Sequence, residues 1–327
     1  MDREKLIAML MQQEYVSGEW ISAQLGVTRA GVWKAIEGLR REGYVIESAP
    51  RKGYHIAPPK DAVWPSLIRK HLNTAWAGQR IDYYDQAGST NQIARELGEQ
   101  DASLAPHGTL VVADEQTAGR GRMDRTWQSR PGSAALMSLL LRPRALPPVE
   151  ATNIVLIAAL AVCDACRSFG ADAAIKWPND IVCGGKKLCG MLLDMSADMD
   201  LVRFAVVGVG LNIADYPRDP ALTHVTCLND AAGRPLERAE VIARFLASFE
   251  RWYDLWSLNG PHAILAPYTE RCITVGSRVR VVGLKDDFEG EALRVTPDGS
   301  LVVMTDAGEE TVVRAGDVSV RGVMGYV

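Results

Sequence analysis

Gly119-Arg120-Gly121-Arg122 is framed by Glu115-Gln116-Thr117-Ala118 and by Met123-Asp124-Arg125-Thr126-Trp127, and this stretch has the composition of an anion cradle. Glycines let backbone N–H groups approach an oxyanion. Arg120, Arg122 and Arg125 supply planar, permanently charged forks suited to phosphate or carboxylate. Trp127 can cover a flat ring. Three further clusters share the polar and glycine-rich character. Ser89-Thr90-Asn91 after Gly88 reads as a helix start whose N–H groups and hydroxyls suit a small polar ligand, although alone it is also an ordinary helix cap. Lys176-Trp177-Pro178-Asn179-Asp180 is followed by a Gly184-Gly185 turn and by Lys186-Lys187-Leu188-Cys189-Gly190. Gly208-Val209-Gly210-Leu211-Asn212 closes the set, read as a segment after a strand.

Several chemistries are excluded. A dinucleotide fingerprint starting at Gly208 would need its third glycine at Ile213, and no GxxxxGK[ST] phosphate loop occurs. There is no HExxH motif and no Ser/His/Asp set. The five histidines, His55, His71, His107, His224 and His262, are dispersed. Catalysis by positioning and charge neutralisation is therefore expected. The six cysteines are scattered, and Cys163-x-x-Cys166 falls in a helix-like apolar segment, so reduced thiols and core packing are expected rather than a disulfide scaffold or metal site.

These clusters must be positioned by several domains, since 327 residues at roughly 100–200 per domain predict two or three. The apolar run from Ile154 to Val162 is far short of the roughly 20 residues that span a bilayer. Met1 leads directly into Asp2-Arg3-Glu4-Lys5 without a signal-like pattern, so a cytoplasmic protein without a membrane partner is expected. The net charge of −4 disfavours a protein that coats nucleic acid along its whole surface. Residues 1–60, however, hold nine lysines and arginines against seven acids, a weakly basic head on an acidic body.

Apolar periodicity in that head predicts a short first helix, a second over 19–25 ending at Gly26, and a third over 29–41 capped by Thr28. Short β segments at 44–46 and 54–56 flank Pro50-Arg51-Lys52-Gly53, which completes a winged helix-turn-helix. Candidate DNA contacts are Thr28, Arg29, Trp33 and Lys34 on the third helix and Arg51 and Lys52 on the wing. Such modules also serve as docking pieces, in which case Trp33 belongs to a core. Residues 58–61 read as a linker. Strands are predicted over 81–84, 109–113, 134–141, 174–176, 181–183, 188–195 and 204–209, with helices over 91–97, 153–169 and 238–256. Short turns between neighbouring strands require antiparallel pairing, so the central region is mixed α/β. From residue 273 onward, short valine-rich runs separated by glycine turns predict a small β-barrel-like cap.

The ordered set Ser89-Thr90-Asn91, Gln116…Gly119-Arg120-Gly121-Arg122…Trp127, Lys176-Trp177-Pro178-Asn179-Asp180, Lys187-Leu188-x-Gly190 and Gly208-x-Gly210-x-Asn212 resembles biotin protein ligase. With the flanking domains, nearly the whole chain is similar to the bifunctional family that is also a biotin operon repressor. The resemblance implies an α+β multidomain fold. A winged helix-turn-helix would occupy 1–60, a class II synthetase-like ligase domain 61–270 and an SH3-like β-barrel 271–327. It implies that biotin and MgATP form biotinyl-5′-adenylate, after which a lysine of a biotin carboxyl carrier domain takes the biotinyl group. Ser89, Thr90, Asn91, Gln116, Gly119, Arg120, Gly121, Arg122 and Lys187 would surround biotin. Arg122, Arg125, Trp127, Lys176, Asn179, Asp180 and Asn212 would surround ATP or adenylate, with Arg122, Lys187 and Asp180 catalytic and Mg²⁺ delivered by ATP rather than held by a dedicated protein site. Operator DNA and an adenylate-dependent homodimer are further expected partners. Asp124 departs from the usual glycine of that loop. The alternatives are a lipoate-type acyl-protein ligase and a ligand-sensing regulator without ligase activity.

Overall fold

In the head, Ser17 and Thr28 each use a side-chain oxygen to satisfy a free helix N–H group, accepting from Trp20 N and Gly31 N at 3.1 Å. A computed structural model of the chain describes residues 3–41, 44–57, 61–123, 125–214, 224–283, 287–315 and 319–322. These residues form two units, 1–71 and 72–327. The first contains α1 (Arg3–Gln12), α2 (Gly18–Leu25), α3 (Arg29–Arg41), β1 (Ile46–Ala49), β2 (Gly53–Ile56) and α4 (Pro65–His71). Gly26, at φ 64°, ends α2 in the left-handed conformation, and Val32, Ile36 and Leu39 on one side of α3 are buried. The wing is the antiparallel pair β1–β2. A Val16–Tyr54 bridge ties it to the α1–α2 connection. Helix α4 was not predicted, and it extends the first unit past the expected 60/61 boundary because Arg69 donates to Gln12 O and Oε1 at 2.8 and 2.7 Å. Pro58, Pro59 and Lys60 of the expected linker lie outside the described residues.

The second unit holds β3 (Ile81–Ala87), α5 (Thr90–Gly98), β4 (Thr109–Gln116), β5 (Ala134–Leu141), α6 (Asn153–Ser168), β6 (Ala173–Lys176), β7 (Asp180–Cys183), β8 (Lys186–Asp198) and β9 (Leu201–Asn212). It continues with α7 (Leu228–Ala232), α8 (Arg238–Asn259) and α9 (His262–Arg271). The strands form one sheet in the order β3-β4-β5-β9-β8-β7-β6, parallel only between β3 and β4. Every residue of β5 is buried, as a central strand that is apolar except at Ser138 requires. Helix α6 lies in the segment Pro148–Ser168, which is long and apolar enough to cross a membrane, but its apolar surface is buried in this protein's own core. Cys163 and Cys166 are core residues there, with burial pushing the Cys163 thiol up to about 12. Helix α9 was not predicted; Pro267 inside it obscures its pattern.

The tail forms β10 (Arg278–Val282), β11 (Phe288–Val295), β12 (Leu301–Thr305), β13 (Glu310–Val313) and β14 (Ser319–Gly322). These make a five-stranded antiparallel sheet in the order β13-β12-β11-β10-β14. It docks on the central sheet through Trp177, whose indole donates to Gly299 O and whose backbone N–H donates to Thr274 Oγ1, both at 3.0 Å.

Candidate active site

Four positions on one face of the central sheet decide where a ligand fits. Leu136, Gly210, Gly190 and Asp180 are successive cross-strand partners, and the next row is Ser138, Gly208 and Leu192. Cross-strand partners share a sheet face, so the glycines hollow out that face. A Cβ on Gly208 would lie 2.0 Å from Asn91 Oδ1, and one on Gly210 would lie 2.6 Å from the Trp127 ring. The Gly208–Asn212 segment is therefore the end of strand β9 rather than a segment that follows the strand. Its glycines make room for side chains from α5 and the arginine loop. The resulting cavity has about 870 Å³ of space, part of it open to solvent.

Asp180 and Lys187 meet on this face because of a bulge. Gly184 and Gly185, at φ 55° and 72°, form the two-residue turn of the β7–β8 hairpin. Register then shifts, with Ile181 opposite Cys189 but Val182 opposite Lys187. Had the Ile181–Cys189 register continued with no bulge, Leu188 would pair with Val182, and Lys187 would pair with Cys183 and point to the other face. Instead its ammonium is 2.6 Å from Asp180 Oδ1, with both side chains largely buried. It also lies 5.7 Å from the Trp127 ring centroid.

At the start of α5, Gln116 Oε1 accepts from Thr90 N at 2.7 Å and from Thr90 Oγ1 at 3.0 Å. Asn91 donates to Asp194 Oδ2 at 2.8 Å, while Ser138 Oγ lies 2.6 Å from Asn91 Oδ1 and 2.8 Å from Thr90 Oγ1. Ser89, Thr90 and Asn91 are buried, and Ser89 makes no side-chain cap bond. These groups give the cavity a preorganised polar end, whereas Leu192, on the same sheet face, supplies apolar wall.

The arginine loop crosses this cavity. Its own bonds run from Gly121 N to Arg125 O at 2.6 Å and from Trp127 N to Gly119 O at 3.0 Å. Gly119 is buried at that crossing, where a Cβ would stand 2.6 Å from Trp127 O, so it shapes the loop and does not line the cavity. Arg122 donates to Asn179 Oδ1 at 3.0 Å and to the carbonyl of Ala315 in the tail. Burial lowers its guanidinium from the ordinary arginine value, with Asp180 opposing and Arg125 reinforcing that shift. Trp127 packs against Gly190 and Gly210, which makes it part of the floor.

Ser89, Thr90, Asn91, Gln116, Arg120, Gly121, Arg122, Arg125, Trp127, Asn179, Asp180 and Lys187 all line the cavity. Lys176 and Asn212 do not. Lys176 lines a separate cleft with Thr274, Ser277 and Arg321, because β10 and β14 pack over it. Burial, reinforced by Lys187, Arg321 and Arg125 and opposed by Asp180, pushes its ammonium down to about 8. Asn212 instead donates to Thr226 O at 3.2 Å. Asp124 lies outside the described residues. Ser138 was missed, although it is the only polar residue in Ala134–Leu141, a signal that could have found it. In the first unit, Thr28, Arg29, Trp33, Lys34, Arg51 and Lys52 are all exposed, and Trp33, at 58% exposure, is no core residue. Arg29 pairs with Glu19 at 2.6 Å.

The sequence profile of the Biotin/lipoate A/B protein ligase family matches residues 83–212, and that of an HTH domain matches residues 2–55. The Bifunctional ligase/repressor BirA of Bacillus subtilis (strain 168) is 40% identical over 312 residues, covering 94% of this chain and 95% of that protein. The Biotin--[acetyl-CoA-carboxylase] ligase of Mycobacterium tuberculosis is 34% identical, covering 80% of this chain and 96% of that one. Among solved structures, the biotin protein ligase from Aquifex aeolicus in complex with biotin and ATP aligns with a TM-score of 0.65 at 23% identity. It covers 75% of this chain and 99% of that chain, a likeness of fold.

Proposed function

The chain belongs to the biotin protein ligase family in its bifunctional ligase/repressor form, and from that premise we propose how its residues divide the work. The protein is a biotin--[acetyl-CoA-carboxylase] ligase whose helix-turn-helix head makes it a transcriptional repressor as well. Biotin and ATP are its substrates. A lipoate-type activity and a regulator without ligase chemistry are both disfavoured by the company these domains keep.

In the first step the biotin carboxylate attacks the α-phosphorus of ATP, a carboxyl–phosphoryl bond forms and pyrophosphate leaves. Two anions approach each other, and charge grows on the transferring phosphoryl group. Arg122 and Lys187 neutralise it. Their convergence with Asp180 beside a glycine-hollowed face is the observation that carries this assignment. The ureido end of biotin suits Ser89, Thr90 and Gln116, and its ring and chain suit Leu192 and the face opened by Gly208 and Gly210. Arg120 and Arg125 add positive charge from the loop, Asn179 holds Arg122, and Trp127 offers a surface against which the adenine packs. Magnesium enters with the nucleotide as part of that substrate, in keeping with a cation that binds through phosphates and few protein ligands. Among the described residues no group of three or more His, Cys, Asp or Glu could hold a metal.

In the second step the carrier lysine amine attacks the biotinyl carbonyl, an amide forms, AMP leaves with the electron pair of the broken anhydride bond, and the surplus proton on the nitrogen passes to solvent. Asp180 accepts a hydrogen bond from the incoming amine. Single-turnover transfer from preformed adenylate tests this: Asp180→Asn slows transfer, and an unchanged rate removes Asp180 from the step. The carrier is a biotin carboxyl carrier domain, the other partner is operator DNA, and the compartment is the cytoplasm. Adenylate strengthens a homodimer, which doubles the DNA contacts of each head. Sedimentation with and without adenylate reads this, and equal dimerisation in both contradicts it. The activity as a whole is tested by biotin-dependent labelling of a carrier domain, which wild type performs and Arg122→Gly performs more slowly; no labelling by wild type contradicts the activity.

A further inference from the structure

Where β4 and β5 stop pairing, a buried arginine bridges the gap. The ladder ends at Ala113 opposite Leu136, and the arginine loop, residues 117–133, springs from the opening beyond. Arg238, the first residue of α8 and 2% exposed, occupies this position. Its Nη2 is 2.7 Å from Asp114 Oδ1 on β4, and its Nη1 donates to Ala134 O on β5 at 3.3 Å. Asp114 also accepts from Tyr83 Oη at 2.8 Å, and its backbone carbonyl accepts from Gly132 N at 3.2 Å. Gly132 has φ 72°, and a Cβ there would lie 3.9 Å from the Arg238 guanidinium. The next residue, Ser133, accepts from both Ile213 N and Ala214 N, so the end of β9 is tied to the same corner.

We propose that Arg238 and Asp114 act as positioning residues that set the root of the Gly119–Arg125 loop and thereby the rate at which the acyl-adenylate escapes. Neither residue lines the cavity. A planar fork spans two strands as a single ammonium does not, and a buried pair fixes geometry more than it adds stability. The proposal rests on the ligase reading above for the ligand it names. Displacing the root by a fraction of an ångström moves Arg120, Arg122 and Arg125 together relative to Asp180, Lys187 and Gly190 on β7 and β8.

Two full-length variants separate this role from a structural one. Arg238→Met/Asp114→Asn removes both charges, so neither partner is left buried and unpaired, and Arg238→Lys keeps the charge but not the fork. Measured are the release rate of biotinyl-adenylate, the affinity for biotin alone, the melting temperature, and amide hydrogen exchange of peptides covering 117–133. The expected result is release about tenfold faster in both variants, faster exchange in those peptides, and biotin affinity within about twofold of wild type. Release and exchange like those of wild type overturn the proposal. So does loss of biotin affinity in step with melting temperature, the behaviour of a merely structural pair. A wild type that forms no adenylate contradicts the ligase reading instead, while the exchange measurement still reports on the clamp.

Discussion

Arginine and tryptophan recur in the catalytic cavity and in the head, yet in opposite physical states. Arg122 is partly buried and bonded to Asn179 and Ala315, and Trp127 sits on two glycines. In the head, Arg29, Lys34, Arg51, Lys52 and Trp33 stand in solvent. The difference follows from the tasks. Transition-state stabilisation needs charges held in place with water excluded, whereas DNA is met at a solvated surface by contacts that exchange counterions. The first arrangement is sensitive to one methyl group, and the second is graded and dependent on salt.

The contrast predicts its largest effect at Lys187. Lys187→Met removes a charge from the cavity and leaves Asp180 without that partner, and pyrophosphate release from biotin and ATP falls about 10²–10³-fold. A fall of less than about threefold would place the charge stabilisation elsewhere. Gly210→Ala comes next: the new Cβ meets the Trp127 ring, destabilising the protein by about 1–3 kcal/mol through overpacking and reducing adenylate formation about tenfold. Thermal melting and single-turnover kinetics together check it, and a variant with wild-type behaviour in both shows that the floor yields.

A smaller effect is expected in the head. Lys52→Ala weakens operator binding and reduces the slope of log affinity against log salt by about one, with ligase activity unchanged. An unchanged slope would mean the wing does not touch phosphate. The smallest effect concerns Lys176, outside the cavity. Its ammonium falls to about 8 in the folded protein, against 10.5 for an ordinary lysine, so between those values the unfolded chain holds a proton that the folded chain has lost. Stability contributed by this group therefore rises as pH increases from about 8 to 10.5, and Lys176→Met abolishes that rise in a chemical-denaturation series. A rise that persists unaltered assigns it to other groups.

Much of this was legible in the residues. Helix α3 follows from its cap at Thr28 and its buried stripe, and the hairpin carrying Asp180 follows from Gly184-Gly185, because local chemistry determines both. The placement of Lys187 was not legible in detail, since a bulge at Leu188 decides which sheet face it takes. Lys176 was assigned to the nucleotide by its neighbours in sequence, but strands about a hundred residues later pack over it. Trp127 has the surface to cover a ring; that it lies on the floor depends on glycines from two other strands. Pairwise contacts across long sequence separations were the missing information, and Ser138 was the one such contact with a visible clue.

The central claim is that this cavity joins biotin to AMP by positioning and charge neutralisation. Isotope exchange between pyrophosphate and ATP in purified full-length protein, with biotin or lipoate as the only acid, tests it most directly. The account predicts rapid exchange with biotin, little with lipoate, and near-complete loss in Lys187→Met; no biotin-dependent exchange in the wild type would contradict it.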